Sequence, residues 1–439
     1  MRWRSAGGAA RILAIAAVAS LASCKDTPNA TITITTGEEL DAFSRGPAPT
    51  TLIVQNLALD GTVTELSRTS LPADEISLGD KSRTDVGAFR VAAVDATGKA
   101  LLKGESLFVQ FGALADASLE VFVQRTGELA RLPRAPAPLE TPRVGLAVAR
   151  YVFAASGTST FLYDLLLLRP SAALPALPRP AKSLATFGSG AIIIDELGAT
   201  TVDLSTGRAT DLTTPAGGNY GEIAGASSTE ATDGSIYIVG GTRAAGGLTP
   251  RVLTIAPAGT VVFAALATPR EGACAAWVEG RGLFVYGGSA TEAGAELLAP
   301  GASVGAKLPF PADPVKGCGA TALDGSHVLV VGGVGSPTDV NGAAQARVID
   351  LACTAGCAPA LWQGTLPLVR AEAFTLGADA ALVVGDDATG ASRVFRATAA
   401  GPKEIALRAP RCGARLIALP VKGTVAIVGG APAIETYVE

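Results

Sequence analysis

IYIVGG at Ile236–Gly241, LFVYGG at Leu283–Gly288, VLVVGG at Val328–Gly333 and VAIVGG at Val425–Gly430 decide the fold of this chain, with an altered copy, ALVVGD, at Ala381–Asp386. The first glycines stand at 240, 287, 332, 385 and 429, so the unit repeats every 44 to 53 residues. A short apolar strand closing on a glycine pair at a period of roughly 40–50 residues marks a β-propeller blade. The pairs end strands and turns follow them. No Gly-x-x-x-x-Gly-Lys-Ser/Thr string opens a helix, so they are not phosphate loops.

Working outward, inner hairpins are expected near 144–156, 183–195, 222–239, 272–286, 317–331, 371–384 and 413–428. Residues 143–439 then supply about 42 residues for each of seven blades, with six or eight as the neighbouring counts. The last blade stops one strand short at Ile434–Glu439. The strand at Leu119–Arg125, or its partner Glu128–Leu132, is left over at the other end. Joining the two remnants closes the ring and removes its exposed edges.

ARVIDLACTAGCAPALWQGTLPLVR at Ala346–Arg370 gives a strand, a turn, a strand ending Leu-Pro and a basic residue before the next blade; Ser118–Arg143 runs similarly. With the glycine pairs and Trp362, this resembles the Kelch repeat over about Val144–Glu439. The resemblance implies a propeller that binds partners through loops at its rims.

Before the propeller, residues 50–117 carry alternating and apolar runs broken by Asp-Gly and Ala-Thr-Gly turns: TLIVQNLAL, TVTELSRTSL, AFRVAAVDATGKALLKG and LFVQF. A small β-sandwich of immunoglobulin or transthyretin type is expected there. Residues 24–49, polar and ending Arg-Gly-Pro-Ala-Pro, read as a tether. Residues 118–439 form the propeller, its N-terminal strand closing the last blade.

Residues 1–23 read as an export signal. Arg2, Arg4 and Arg11 precede the apolar run Ile12–Ala22, which is too short to span a bilayer. Leu21-Ala22-Ser23-Cys24 resembles the lipobox of bacterial lipoproteins, which implies lipidation of Cys24. Lys25, in place of aspartate, points to the outer membrane. Removing the signal leaves 32 Lys+Arg against 39 Asp+Glu, a net charge of about −7, so general nucleic-acid binding is not expected. Leu165–Leu168 is the densest remaining apolar patch, bracketed by Asp164 and Arg169.

Export permits disulfides. Cys353 and Cys357 flank a three-residue turn and are expected to pair. Cys274 and Cys318 lie on inner strands of neighbouring blades and are a second candidate pair, although aligning their turns leaves them one residue out of register. With Cys412 the count is odd, so at least one thiol is free or pairs outside the chain.

His327 is the single histidine, in the turn Asp324-Gly325-Ser326-His327, so a multi-histidine metal site is excluded within one chain. Galactose oxidase resembles this architecture but needs two histidines at its copper. Asp339-Val340-Asn341-Gly342 lacks the later ligands of a calcium loop. No acid pair for glycoside hydrolysis and no sialidase box stand out, and no metal, cofactor or catalytic residue is assigned. Arg143, Lys182, Arg270, Lys316, Arg370 and Arg411 each precede an inner hairpin. Blade symmetry would array them around the channel mouth, either as an anion-attracting rim or as braces bonded to neighbouring carbonyls and carboxylates. The expected function is protein interaction or scaffolding at the envelope, by an exported protein that meets membrane only through its lipid. A carbohydrate-binding module is the alternative, weakened by 5% aromatics; an enzyme with a channel-mouth site is the other.

Overall fold

The computed structural model describes residues 13–16, 31–72, 84–114, 118–134, 144–172, 174–223, 225–240, 247–421 and 423–439. Cys24 and Arg143 lie outside them. The described residues are almost wholly β, with two short 3-10 turns, and no helix is long and apolar enough to cross a membrane.

Seven four-stranded antiparallel sheets follow one another along the described chain. Their innermost strands are Val144–Val148, Ser183–Phe187, Ser227–Glu230, Cys274–Val278, Gly319–Ala322, Arg370–Gly377 and Arg415–Ala418. Each lies beside the next, and Arg415–Ala418 lies beside Val144–Val148, so the sheets close into the ring of a β-propeller. The second strands are largely buried, and wholly so in Ile236–Val239 and Gly282–Tyr286. Their continuous apolar runs pack against neighbouring sheets on both faces, which explains why they do not alternate.

The glycine pairs turn the chain sharply where it leaves these strands. Gly287 and Gly288 have φ of 81° and 73°. A Cβ on Gly288 would come within 2.6 Å of the Glu271 carbonyl oxygen. Space and backbone angle both demand glycine there. In the altered copy the strand instead runs straight through Ala380–Asp386.

Leu129–Arg131 supplies the fourth strand of the last sheet, with Leu129 opposite Tyr437 and Arg131 opposite Glu435. Of the two strands expected to close the ring, the later one does so. The earlier one, Ser118–Phe122, pairs in parallel with Thr31–Thr35, which also pairs antiparallel with Leu13–Ala16. Thr31–Thr35 falls in the segment read as a tether. Its alternation buries Ile32 and Ile34, which share a core with Leu119, Val121, Leu52, Val54, Phe89 and Val91. The facing layer comprises Val63–Ser70, Thr51–Ala58, Val86–Val94, Ala100–Glu105 and Gln124–Arg125, with Val109–Gln110 on Val86–Val94. This two-layered unit therefore draws on both sides of residues 50–117. The stretch from Ser118 to Arg131 passes from it directly into the propeller.

Candidate functional site

Inner strands from all seven sheets converge on a recess of about 560 Å³ at the centre of the ring. Its walls are mostly small: Gly145, Ala226, Ser228, Ala275, Gly319 and Ala371 are typical. Lys182, Glu230, Glu372 and Arg415 are its charged groups. Partial burial raises the Glu230 carboxyl above its ordinary range. Glu372 accepts from Arg370, from Arg415 at 2.5 Å and from the Leu416 amide at 2.7 Å.

The six expected rim cations do not form one surface. Arg270 and Arg411 turn inward and are 0% and 5% exposed, so a ligand at the rim cannot reach them. The Arg270 guanidinium donates to the carbonyls of Gly287 at 2.6 Å and Ala293 at 2.6 Å, and to Glu296 at 2.9 Å. Arg411 repeats this on Gly429, Ala433 and Glu435. A planar fork with five donors suits such a cluster of acceptors. These two are therefore braces. Arg370 is partly buried between Asp386 and Glu372. Lys182 pairs with Glu196 at 2.9 Å, and the half-exposed Lys316 pairs with Glu271. Each described cation at these positions has a carboxylate beside it, so the field expected of a ring of like charges is largely cancelled locally.

Arg347 was not anticipated. It is fully buried, donates to the Gly332 carbonyl at 3.2 Å, and has Asp313 and Asp339 each 3.9 Å away. Arginine beside Val348 and Ile349 in the strand Arg347–Asp350 was the available signal. Glu230 was overlooked because only basic residues were followed around the repeat, whereas Glu271 and Glu372 are carboxylates of the kind the bracing alternative required.

Both cysteine pairs are bonded. Cys353–Cys357 spans its turn, and Cys274–Cys318 joins two adjacent inner strands in the wall of the recess. The register offset of the second pair is absorbed because Cys318 precedes its strand, which begins at Gly319, and is free of the pleat. Among the described residues Cys412 is the free cysteine, and it is exposed. Disulfides are compatible with export. Replacing Cys353 and Cys357 by serine should cost about 2 kcal/mol, the entropy of so short a loop, and leave the fold intact. Denaturant titration checks this, and a loss of the cooperative transition would contradict it.

His327 sits in its turn with Asp324 at 2.9 Å, and Val340 and Ala343 close the turn read from Asp339–Gly342. No protein-family model matches the chain, and no curated protein matches it significantly. Among solved structures, a chain from the crystal structure of the mitotic checkpoint complex aligns over 71% of this chain and 95% of its own length, with TM-score 0.47 and 10% identity.

Proposed function

We propose that this chain is an exported, lipid-anchored, seven-bladed Kelch-like propeller, preceded by a small β-sandwich, that binds a protein partner at the bacterial envelope. It acts by recognition rather than catalysis. The observation that carries this reading is the central recess, where inner strands of every sheet meet around four charged groups of both signs. Small walls leave room for a projecting segment of a partner. Lys182, Glu230, Glu372 and Arg415 would then select by charge complementarity, which governs specificity and on-rate more than raw affinity. The lipid on Cys24 would hold the recess near the outer membrane, since several acyl chains on one residue anchor stably where a single chain does not.

The test is crosslinked capture from envelopes with the full chain and with a Lys182→Glu/Glu230→Lys variant. The variant should keep its thermal transition and lose the partner that the parent captures. Undiminished capture of the same partner at every salt concentration would reject the recess as the binding site. In parallel, Cys24→Ala should move the protein out of the membrane fraction; unchanged fractionation would remove the anchor from the proposal.

A further inference from the structure

The charged groups of the central recess are not equivalent. Glu372 takes Arg370 and Arg415, and Arg370 also pairs with Asp386, so that group balances. Lys182 is matched by Glu196. Glu230 is left over. It lines the recess and keeps exposed surface there, yet among the described residues no hydrogen bond or ion pair reaches its carboxylate. Burial raises its pKa and no cation offsets the shift. A carboxylate partly withdrawn from water gains by taking a cation.

Strand register separates Glu230 from the other three. Ser227, Glu372 and Arg415 stand opposite Val239, Val384 and Val428, each the residue before the first glycine of its repeat. Glu230 stands opposite Ile236, three residues further from the glycine, or about 10 Å along the recess. Lys182 precedes the strand that starts at Ser183 and so lies at the glycine end, with Glu372 and Arg415. Ala418, opposite Val425, shares the layer of Glu230, and so small a neighbour leaves the approach open. The inner hairpin turns at this end carry Asp233, Glu279, Asp324 and Asp379, against Arg150 and Arg281 among the described residues. Arg150 is neutralised by Asp164 at 2.7 Å, and Arg281 donates to the carbonyls of Gly325 and Leu351. Acids around a mouth draw cations towards it.

We propose that the recess takes one basic side chain of the partner, lysine or arginine, which enters by the mouth opposite the glycine pairs and pairs with Glu230. This rests on the recess being the binding site. An acidic side chain would meet the acidic turns first and then find the cations of the recess already matched.

The probe is the blocked peptide acetyl-Gly-Lys-Gly-amide, titrated calorimetrically into the full chain at low ionic strength, with norleucine and glutamate in place of lysine as comparisons. The lysine peptide should bind at least about tenfold more tightly than the norleucine peptide, and the glutamate peptide should not bind. Glu230→Gln keeps the side chain's shape and breaks no internal bond, so it should retain the thermal transition and lose the preference for lysine. Failure of the lysine peptide to bind at millimolar concentration would overturn the proposal. So would equal binding of the lysine and norleucine peptides, or an undiminished preference in Glu230→Gln. Crosslinked capture separates this inference from the wider reading. If Glu230→Gln still captures the partner while Lys182→Glu/Glu230→Lys loses it, the recess stands as the site and the pairing with Glu230 falls; loss of the partner by both supports the pairing.

Discussion

Deleting Ile434–Glu439 is expected to open the ring. Ile434, Glu435, Thr436 and Tyr437 are each no more than 1% exposed. Their strand is hydrogen-bonded on one side to Thr424–Val428 and on the other to Leu129–Arg131, some 300 residues earlier in the chain. Burying side chains the size of Ile434 and Tyr437 contributes about 1.5–3 kcal/mol each. The deletion also strips Glu435 from the buried Arg411, and an uncompensated buried charge costs about 3–5 kcal/mol more. Together these approach the whole stability of an ordinary domain, about 5–15 kcal/mol. The last sheet should lose its third strand and the attachment of its fourth, leaving Thr424–Val428 as an exposed edge that invites association. Hydrogen exchange reads the effect at a distance. The Leu132 amide donates to Ile434 and the Gly127 amide to Val438, so both should lose protection. Unchanged protection from Gly127 to Leu132 in the shortened protein would show that the ring does not close through this strand.

The parts of this architecture that were legible are those imposed by local chemistry. A pair of glycines at positive φ, packed so that a Cβ would strike backbone, leaves an unmistakable mark every 44 to 53 residues. Two cysteines either side of a three-residue turn are within bonding reach whatever surrounds them. The role of Thr31–Thr35 was not legible, because its parallel partner Ser118–Phe122 lies far along the chain and parallel pairing has no connecting turn to announce it. For the basic residues before the hairpins the repeat left two readings open, rim or brace, because equal repeat positions are not equal environments. The distinguishing signal was present. The buried pair, Arg270 and Arg411, have glutamates 26 and 24 residues downstream, on the third strand of the following sheet. At that spacing Lys182, Lys316 and Arg370 have no acid, and these three remain partly exposed and pair with carboxylates elsewhere.

Arg270→Ala should cost about 3–5 kcal/mol, while Lys316→Ala, at the matching position one repeat later, should cost no more than about 1 kcal/mol. The repeat position is the same; the solvent is not. Burial disfavours the Arg270 cation first of all and draws its pKa down, and Glu296 opposes that pull. The guanidinium stays protonated at neutral pH. Truncation removes it from Glu296, which is fully buried and whose remaining contact includes the Ala267 amide at 2.7 Å. It also strands the carbonyls of Gly287 and Ala293, which lie where the glycine pair turns the chain. The lost energy is therefore a desolvated carboxylate and orphaned carbonyls rather than one ion pair, so Arg270→Lys should rescue only part of it: a single ammonium cannot span three acceptors in a plane. Lys316 keeps half of its surface in water, and its pair with Glu271 is screened there. Denaturant titration of the three variants decides the matter. Equal, small losses for Arg270→Ala and Lys316→Ala would mean that Arg270 does not brace the sheet, whatever its burial.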